Sequence, residues 1–192
     1  MGEPGLYMVT RNRGKFAEAR EELARFGIEL RQIEGDKLEV QSEDVVEVAR
    51  RAAEDAYRRY GVPLIVDDTG LYIEALNGFP GPYSSYVIRK IGLEGVLKLM
   101  EGAATRRACF RTAVAYADGA GVVHFVGEAC GTIAERPRGS SGFGYDPIFV
   151  PDGETRTYAE MTVEEKNRVS HRGRALRSFA AWYLSSRAGR AP

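Results

Sequence analysis

The run Val62-Pro63-Leu64-Ile65-Val66-Asp67-Asp68-Thr69-Gly70-Leu71 constrains the fold more than any other stretch, because two adjacent carboxylates follow directly on an apolar segment. A short, β-branched apolar run reads as a strand covered on both faces, and ligands in open α/β sheets bind beyond the carboxyl ends of such strands. The expectation is an α/β fold with Asp67 and Asp68 at a strand tip. Neighbouring carboxylates repel each other, so keeping both ionised calls for a compensating cation, first of all a hard divalent ion such as Mg²⁺. On local residues alone, Asp-Asp-Thr-Gly also reads as a turn and helix cap. The rest of the chain has to decide between the two.

A chain of 192 residues buries a sizeable core as one domain, and no linker interrupts it. Its 27 basic and 27 acidic residues cancel, so there is no long-range field to draw in a nucleic-acid polymer or an anionic membrane. Any anion has to be captured locally. No apolar run approaches a membrane span and no signal-like segment opens the chain, so a soluble, cytoplasmic protein is expected. Two cysteines, Cys109 and Cys130, and two distant histidines make a zinc site an unattractive reading. With 22 Arg against 5 Lys, each lysine is the more informative.

Leu6-Tyr7-Met8-Val9 reads as a first strand. It is followed by the polar loop Thr10-Arg11-Asn12-Arg13-Gly14-Lys15 and a helical pattern with Phe16, Ala19, Leu23 and Phe26 on one face. A helix start with free N–H groups beside Lys15 suits phosphate oxygens, although Asn12 also reads as a simple cap. Ile28 to Ile33 reads as a second strand, and Ser42 as the cap of a helix from about Glu43 to Tyr60. Asn77-Gly78-Phe79-Pro80-Gly81-Pro82-Tyr83 is a rigid turn with exposed aromatics, which hints at an interface. Arg106 to Ala134 alternates as an antiparallel hairpin around Asp118-Gly119-Ala120-Gly121. His124, within it, is given no role. In the glycine-rich loop Gly142-Phe143-Gly144-Tyr145-Asp146, Phe143 and Tyr145 offer flat faces on which a base can stack, or fold into the core. Thr162-Val163-Glu164-Glu165 is a capping box ahead of Lys166, and His171 and Arg172 start a final amphipathic helix.

Thr10 to Lys15, Val66 to Leu71, Leu76 to Tyr83, Gly142 to Pro147 and Ala159 through Arg172 together resemble, in order, the signatures of the inosine triphosphate pyrophosphatase family. The resemblance spans nearly the whole chain. It implies an elongated two-lobed α/β fold around a long, twisted mixed sheet flanked by helices, formed by residues 1–192 as a single domain. It further implies a homodimer and Mg²⁺-dependent cleavage of non-standard purine nucleoside triphosphates to monophosphate and pyrophosphate. Carried over by position, Thr10, Arg11, Asn12, Arg13, Gly14 and Lys15 hold phosphates, Glu39 and Asp68 hold the metal, and Asp68 is the base for attacking water. Thr69, Phe143, Gly144, Tyr145, Asp146, Lys166, His171 and Arg172 contact the substrate. The chain departs from the pattern at Ser84-Ser85-Tyr86, where many members carry a cation, and at Arg50 and Arg51, where a Lys is expected.

His171, Arg172 and the N–H groups around Phe143 can present donors to a purine, which favours a 6-oxygen over a 6-amino group. A rival reading is a non-catalytic nucleotide-binding protein on the same scaffold, but that has no need of Asp67-Asp68. Cys109 and Cys130 stand equally far from the 119/120 boundary. A hairpin folded there opposes them and one shifted toward Asp118-Gly119 separates them; a reduced core pair is the expected state in a cytoplasm.

Overall fold

The computed structural model describes residues 5–188. One mixed sheet runs in the order β2-β1-β3-β5-β6-β7, with β4 alongside β3. β1 (Leu6–Val9) lies parallel to β2 (Leu30–Ile33) and to the start of β3 (Leu64–Ile73). β3 is then antiparallel to β5 (Arg107–Asp118), β5 to β6 (Gly121–Ile133), and β6 to β7 (Phe149–Pro151). The α/β class and the mixed sheet are therefore as expected.

Alternation along β3 assigns its faces. Leu64 and Val66 join the apolar layer under α2 (Val45–Tyr60), whose Ala49, Ala52, Ala53 and Ala56 allow close approach. Ile65, one residue out of phase, packs beneath α1 (Arg13–Ala24) and α5 (His171–Ala188) with Val114, Tyr116 and Phe179. Further along the same strands, Leu71, Ile73, Ala108 and Phe110 join a separate cluster with Phe149, Tyr158 and, from α3 (Ser84–Leu99), Val87 and Val96. Between these clusters each strand has a polar interval: Asp67 to Gly70 on β3 and Thr112 on β5.

This corrects the expected placement of the two carboxylates. They do not stand at a strand tip: β3 runs unbroken through them to Ile73, in keeping with Leu71-Tyr72-Ile73-Glu74 reading as a continuing strand in the sequence. It is β1 that ends. β1 covers one edge of β3 only as far as Ile65, and β4 (Pro80–Gly81) takes up the same edge at Leu71 and Tyr72. The edge is therefore open in between, where the carboxylates lie. The α2 cap is likewise Asp44 rather than Ser42; Ser42 instead accepts a bond from the Asp44 N–H. A side chain one residue before the helix serves the N2 amide better.

The hairpin folds about the 119/120 boundary, pairing Asp118 with Gly121 and Cys109 with Cys130. The two cysteines form a disulfide, with Cα atoms 4.0 Å apart, on a partly exposed sheet face. They are not a reduced core pair. The bridge joins residues 21 apart in sequence, a loop whose closure in the unfolded chain is worth about 3 kcal/mol. Replacing both cysteines by serine is expected to lower the calorimetric unfolding midpoint by roughly 5–10 °C; an unchanged midpoint would show that strand pairing alone holds the hairpin.

Candidate active site

The open edge of β3 leaves backbone carbonyls without a ladder partner, and side chains supply the donors instead. Lys37 Nζ bonds the Asp67 carbonyl at 3.0 Å and Ser84 Oγ bonds the Thr69 carbonyl at 3.1 Å. Gly70 permits this narrow passage, because a Cβ there would lie 2.9 Å from the Gly81 backbone. Side chains 67 and 69 point toward α1 and α5, and 68 points to the opposite face.

Around Asp67 and Asp68 four acids and four bases interlock. Asp67 receives Lys15 Nζ at 3.2 Å and Arg172 Nε at 2.9 Å. Arg172 also bonds Glu18 through Nη1 and the Thr69 hydroxyl through Nη2 at 3.0 Å, and Thr69 in turn meets Thr112 at 2.6 Å. Lys166, on α4 (Val163–Val169), bonds Glu18 and Asp146 at 2.6 Å each. Lys37 bonds Asp68 Oδ1 at 2.7 Å. Asp68 Oδ2 is buried and has no partner among the described residues.

Glycines bring these elements together. A Cβ on Gly14 would lie 2.3 Å from the Phe143 ring, so the helix start and the glycine-rich loop touch only because residue 14 has none. Gly127 on β6 plays the same part for the first turn of α5, whose His171 carbonyl would be 2.0 Å from an added Cβ. Phe143 then lies under two cations, Lys166 at 4.7 Å and Arg172 at 5.7 Å from the ring centre.

Burial alone would raise Asp67, but Lys15, Arg172 and Lys37 together outweigh it and hold this carboxyl well below the usual range. Glu18 is also lowered: Lys166 and Arg172 overcome its burial. Asp68 goes the other way, because burial is only partly offset by Lys37 and Lys15. Burial, with Arg172 and Lys166 nearby, pushes His171 far down, so it is neutral at pH 7.

Residues 6–182 match the Ham1 family. The chain is 56% identical to a dITP/XTP pyrophosphatase of Pyrobaculum aerophilum across 91% of this chain and 94% of that one. It is 53% identical to one of Methanopyrus kandleri, across 95% and 97%. The chain belongs to the Ham1 family. Among solved structures, a HAM1 protein from Coxiella burnetii superposes with a TM-score of 0.78 at 33% identity, covering 94% of this chain and 99% of that one.

The expected site residues fall into three groups in this Ham1 fold. Lys15, Asp68, Thr69, Asp146, Lys166 and Arg172 come together in the charged cluster, with Phe143 and Gly14 beside it. Asn12 caps α1 by accepting from the Lys15 N–H, and its own N–H bonds the Thr10 hydroxyl; Arg11 and Arg13 are exposed at the rim, Arg11 paired with Asp36. Tyr145 takes the core alternative, not the stacking one: it is buried and donates to the Ser84 carbonyl at 2.8 Å. Gly144, exposed at φ 59°, turns the loop there. Glu39 is exposed, and no third carboxylate, His or Cys converges with Asp67 and Asp68 among the described residues. His171 stacks on Phe110 with ring centres 4.5 Å apart. Arg172 is 2% exposed and commits Nε, Nη1 and Nη2 to Asp67, Glu18 and Thr69, which leaves its place in the site structural before it is anything else.

Sequence reasoning passed over Glu18, Glu22 and Lys37. The two glutamates look like the solvated side of an amphipathic helix but are 2% and 0% exposed, because cations on α4 and α5 reach them. Lys37 carried a usable signal: it is one of the five lysines, the scarcity that singled out Lys15 and Lys166.

Asp67 and Glu18 bind a proton more weakly folded than at their ordinary values of 3.8 and 4.5. The stability they contribute is complete above those values and is lost as pH falls through the lower folded ones. Asp68 and Asp146, both raised by burial, carry the opposite sign. Arg172→Ala leaves Asp67 and Glu18 short of their shared cation. It is expected to lower unfolding free energy by about 3–5 kcal/mol and to flatten the acid dependence below roughly pH 4, as read by urea unfolding across pH. Arg172→Lys should restore only part, since one ammonium cannot span three acceptors.

Proposed function

We propose that this chain hydrolyses non-standard purine nucleoside triphosphates (ITP, dITP and XTP) to the monophosphate and pyrophosphate, with Asp68 as the base. The observation that carries this reading is Asp68 itself: a buried carboxylate with one oxygen unpartnered among the described residues, at the open edge of β3, bonded to Lys37 and within the field of Lys15. The names of the relatives, dITP/XTP pyrophosphatases at about half identity over nearly full length, support the substrate class.

The start of α1 supports a polyanion. Its first turn carries no acid but holds Arg13 and Lys15, an arrangement unfavourable to the helix dipole unless an anion sits there. Thr10 and Asn12 brace that turn, and Arg11 and Arg13 stand at its rim. The buried cluster is already neutral, four acids against four bases. A triphosphate therefore has to bring in its own positive charge, which is the case for a divalent ion.

The donor set fits Mg²⁺, since Asp68 Oδ2 is an orphaned hard oxygen in a buried place. Asp68 would hold the ion, with Glu39 from the neighbouring loop. Bound there, it supplies positive charge to phosphate oxygens and acidity to a water. Asp68 accepts the proton of the attacking water, Lys15 and the rim arginines orient the phosphates, and Phe143 offers the base a flat face backed by two cations. Neutral His171 presents either a donor or an acceptor at the base edge. The exposed aromatics Phe79, Tyr83 and Tyr86 suit burial between two copies, so the working unit we propose is a homodimer, and its compartment the cytoplasm.

The test is a panel of ITP, dITP, XTP, ATP and GTP with and without Mg²⁺, with pyrophosphate and orthophosphate measured separately. Expected are pyrophosphate only, a strong preference for the first three, and no turnover after chelation; orthophosphate as the sole product would overturn the reading. Asp68→Asn should reduce kcat by several orders of magnitude while ITP still binds. A loss below tenfold, about 1.4 kcal/mol in barrier, would remove Asp68 as the base.

A further inference from the structure

Lys37 reaches the site from a different direction than the other cations. It lies between β2 and α2, and its ammonium crosses the open edge of β3 to bond the Asp67 carbonyl at 3.0 Å and Asp68 Oδ1 at 2.7 Å. Its side chain is only 18% exposed. Drawing a strongly hydrated ammonium inward requires an anion at the destination. Asp67 is not that anion, because Lys15 and Arg172 engage both of its carboxylate oxygens. Asp68 is. Among the described residues Lys37 is its one directly bonded cation, and its second oxygen bonds nothing.

A hard divalent ion lies about 2.0–2.6 Å from a carboxylate oxygen, so an ion on Oδ2 would face the ammonium on Oδ1 across a single carboxylate. The two positive charges repel at that separation, and each weakens the hold of the other. Glu39 stands two residues along the same loop, near enough for its charge to act on Lys37. The segment that carries the ammonium thus also carries the second carboxylate for an ion.

We propose that Lys37 is a resident counter-ion of Asp68 that competes with the divalent ion for this carboxylate, so that the loop before α2 sets how tightly the chain holds its metal. This rests on Asp68 as a metal ligand, as read above. The Asp67 carbonyl, on the same edge, gives the displaced ammonium a second anchor and keeps it beside the phosphates.

The experiment uses the full chain with Mn²⁺ as probe and no nucleotide, the free ion being counted by electron paramagnetic resonance. Lys37→Met keeps the length of the side chain and removes its charge. It is expected to bind Mn²⁺ about tenfold more tightly than wild type, to melt lower without metal, and to gain more from added Mg²⁺. Lys37→Gln should do the same if Met disturbs the loop, and Lys37→Arg should stay near wild type. Asp68→Asn in both backgrounds should abolish the difference, which places the competition at that carboxylate. Equal or weaker Mn²⁺ binding in both neutral variants overturns the proposal, as does a difference that survives Asp68→Asn or a failure of every protein to bind Mn²⁺. None of these readings depends on nucleotide turnover, so failure here is separable from failure of the pyrophosphatase reading, which pyrophosphate release by wild type decides on its own.

Discussion

The ion pair between Asp67 and Arg172 is the interaction on which the rest depends. It joins the middle of β3 to the first turn of α5, two elements 105 residues apart in sequence, in a place that neither partner can occupy alone. A buried carboxylate without its guanidinium would have to take up a proton, and a buried guanidinium cannot lose one. Once the pair is set, Glu18 is drawn in by the second arm of Arg172, Lys166 by Glu18, and Asp146 with its loop by Lys166. The Phe143 N–H then closes the chain on Asp146 at 2.9 Å.

This arrangement separates structural from reactive groups. Asp67 and Asp68 are chain neighbours, yet strand alternation sends them to opposite faces with different partners. Asp67 has a cation bonded to each of its oxygens. Asp68 has one ammonium from a loop and a free oxygen. In the proposed function the carboxylate less well provided for is the one assigned the chemistry, and its neighbour gives the scaffold the rigidity that positioning requires.

The open edge of β3 is a fold-level device for the same purpose. A sheet normally satisfies its carbonyls by pairing, and an unpaired edge is a liability unless something covers it. Here β1 stops four residues in and β4 begins later, so that side chains of Lys37 and Ser84 cap the exposed carbonyls. Ser84, where the chain departs from the family pattern, thus spends its hydroxyl on a β3 carbonyl. Arg50, for its part, turns away to the Val122 carbonyl and His124.

Much was determined by the sequence on its own. Period-two alternation placed the hairpin but left its register, and so the pairing of Cys109 with Cys130, to the structure; the capping box placed α4, and apolar runs placed β1 and β3. These signals are local, arising from pleat, cap and turn chemistry within a few residues. Motif order across the chain pointed to the family and, with it, to most of the charged cluster. The continuation of β3 through Leu71-Tyr72-Ile73 was legible in its apolar residues, but tertiary structure alone decided that the edge beside Asp67 and Asp68 is open, because it is the neighbouring β1 that has stopped. It also decided that Glu18 and Glu22 are buried, that Tyr145 belongs to the core, that Glu39 stays exposed and that Lys37 reaches Asp68. Each of these turns on a partner distant in sequence, and whether a charge is buried depends on the opposite charge that meets it, which no local pattern encodes.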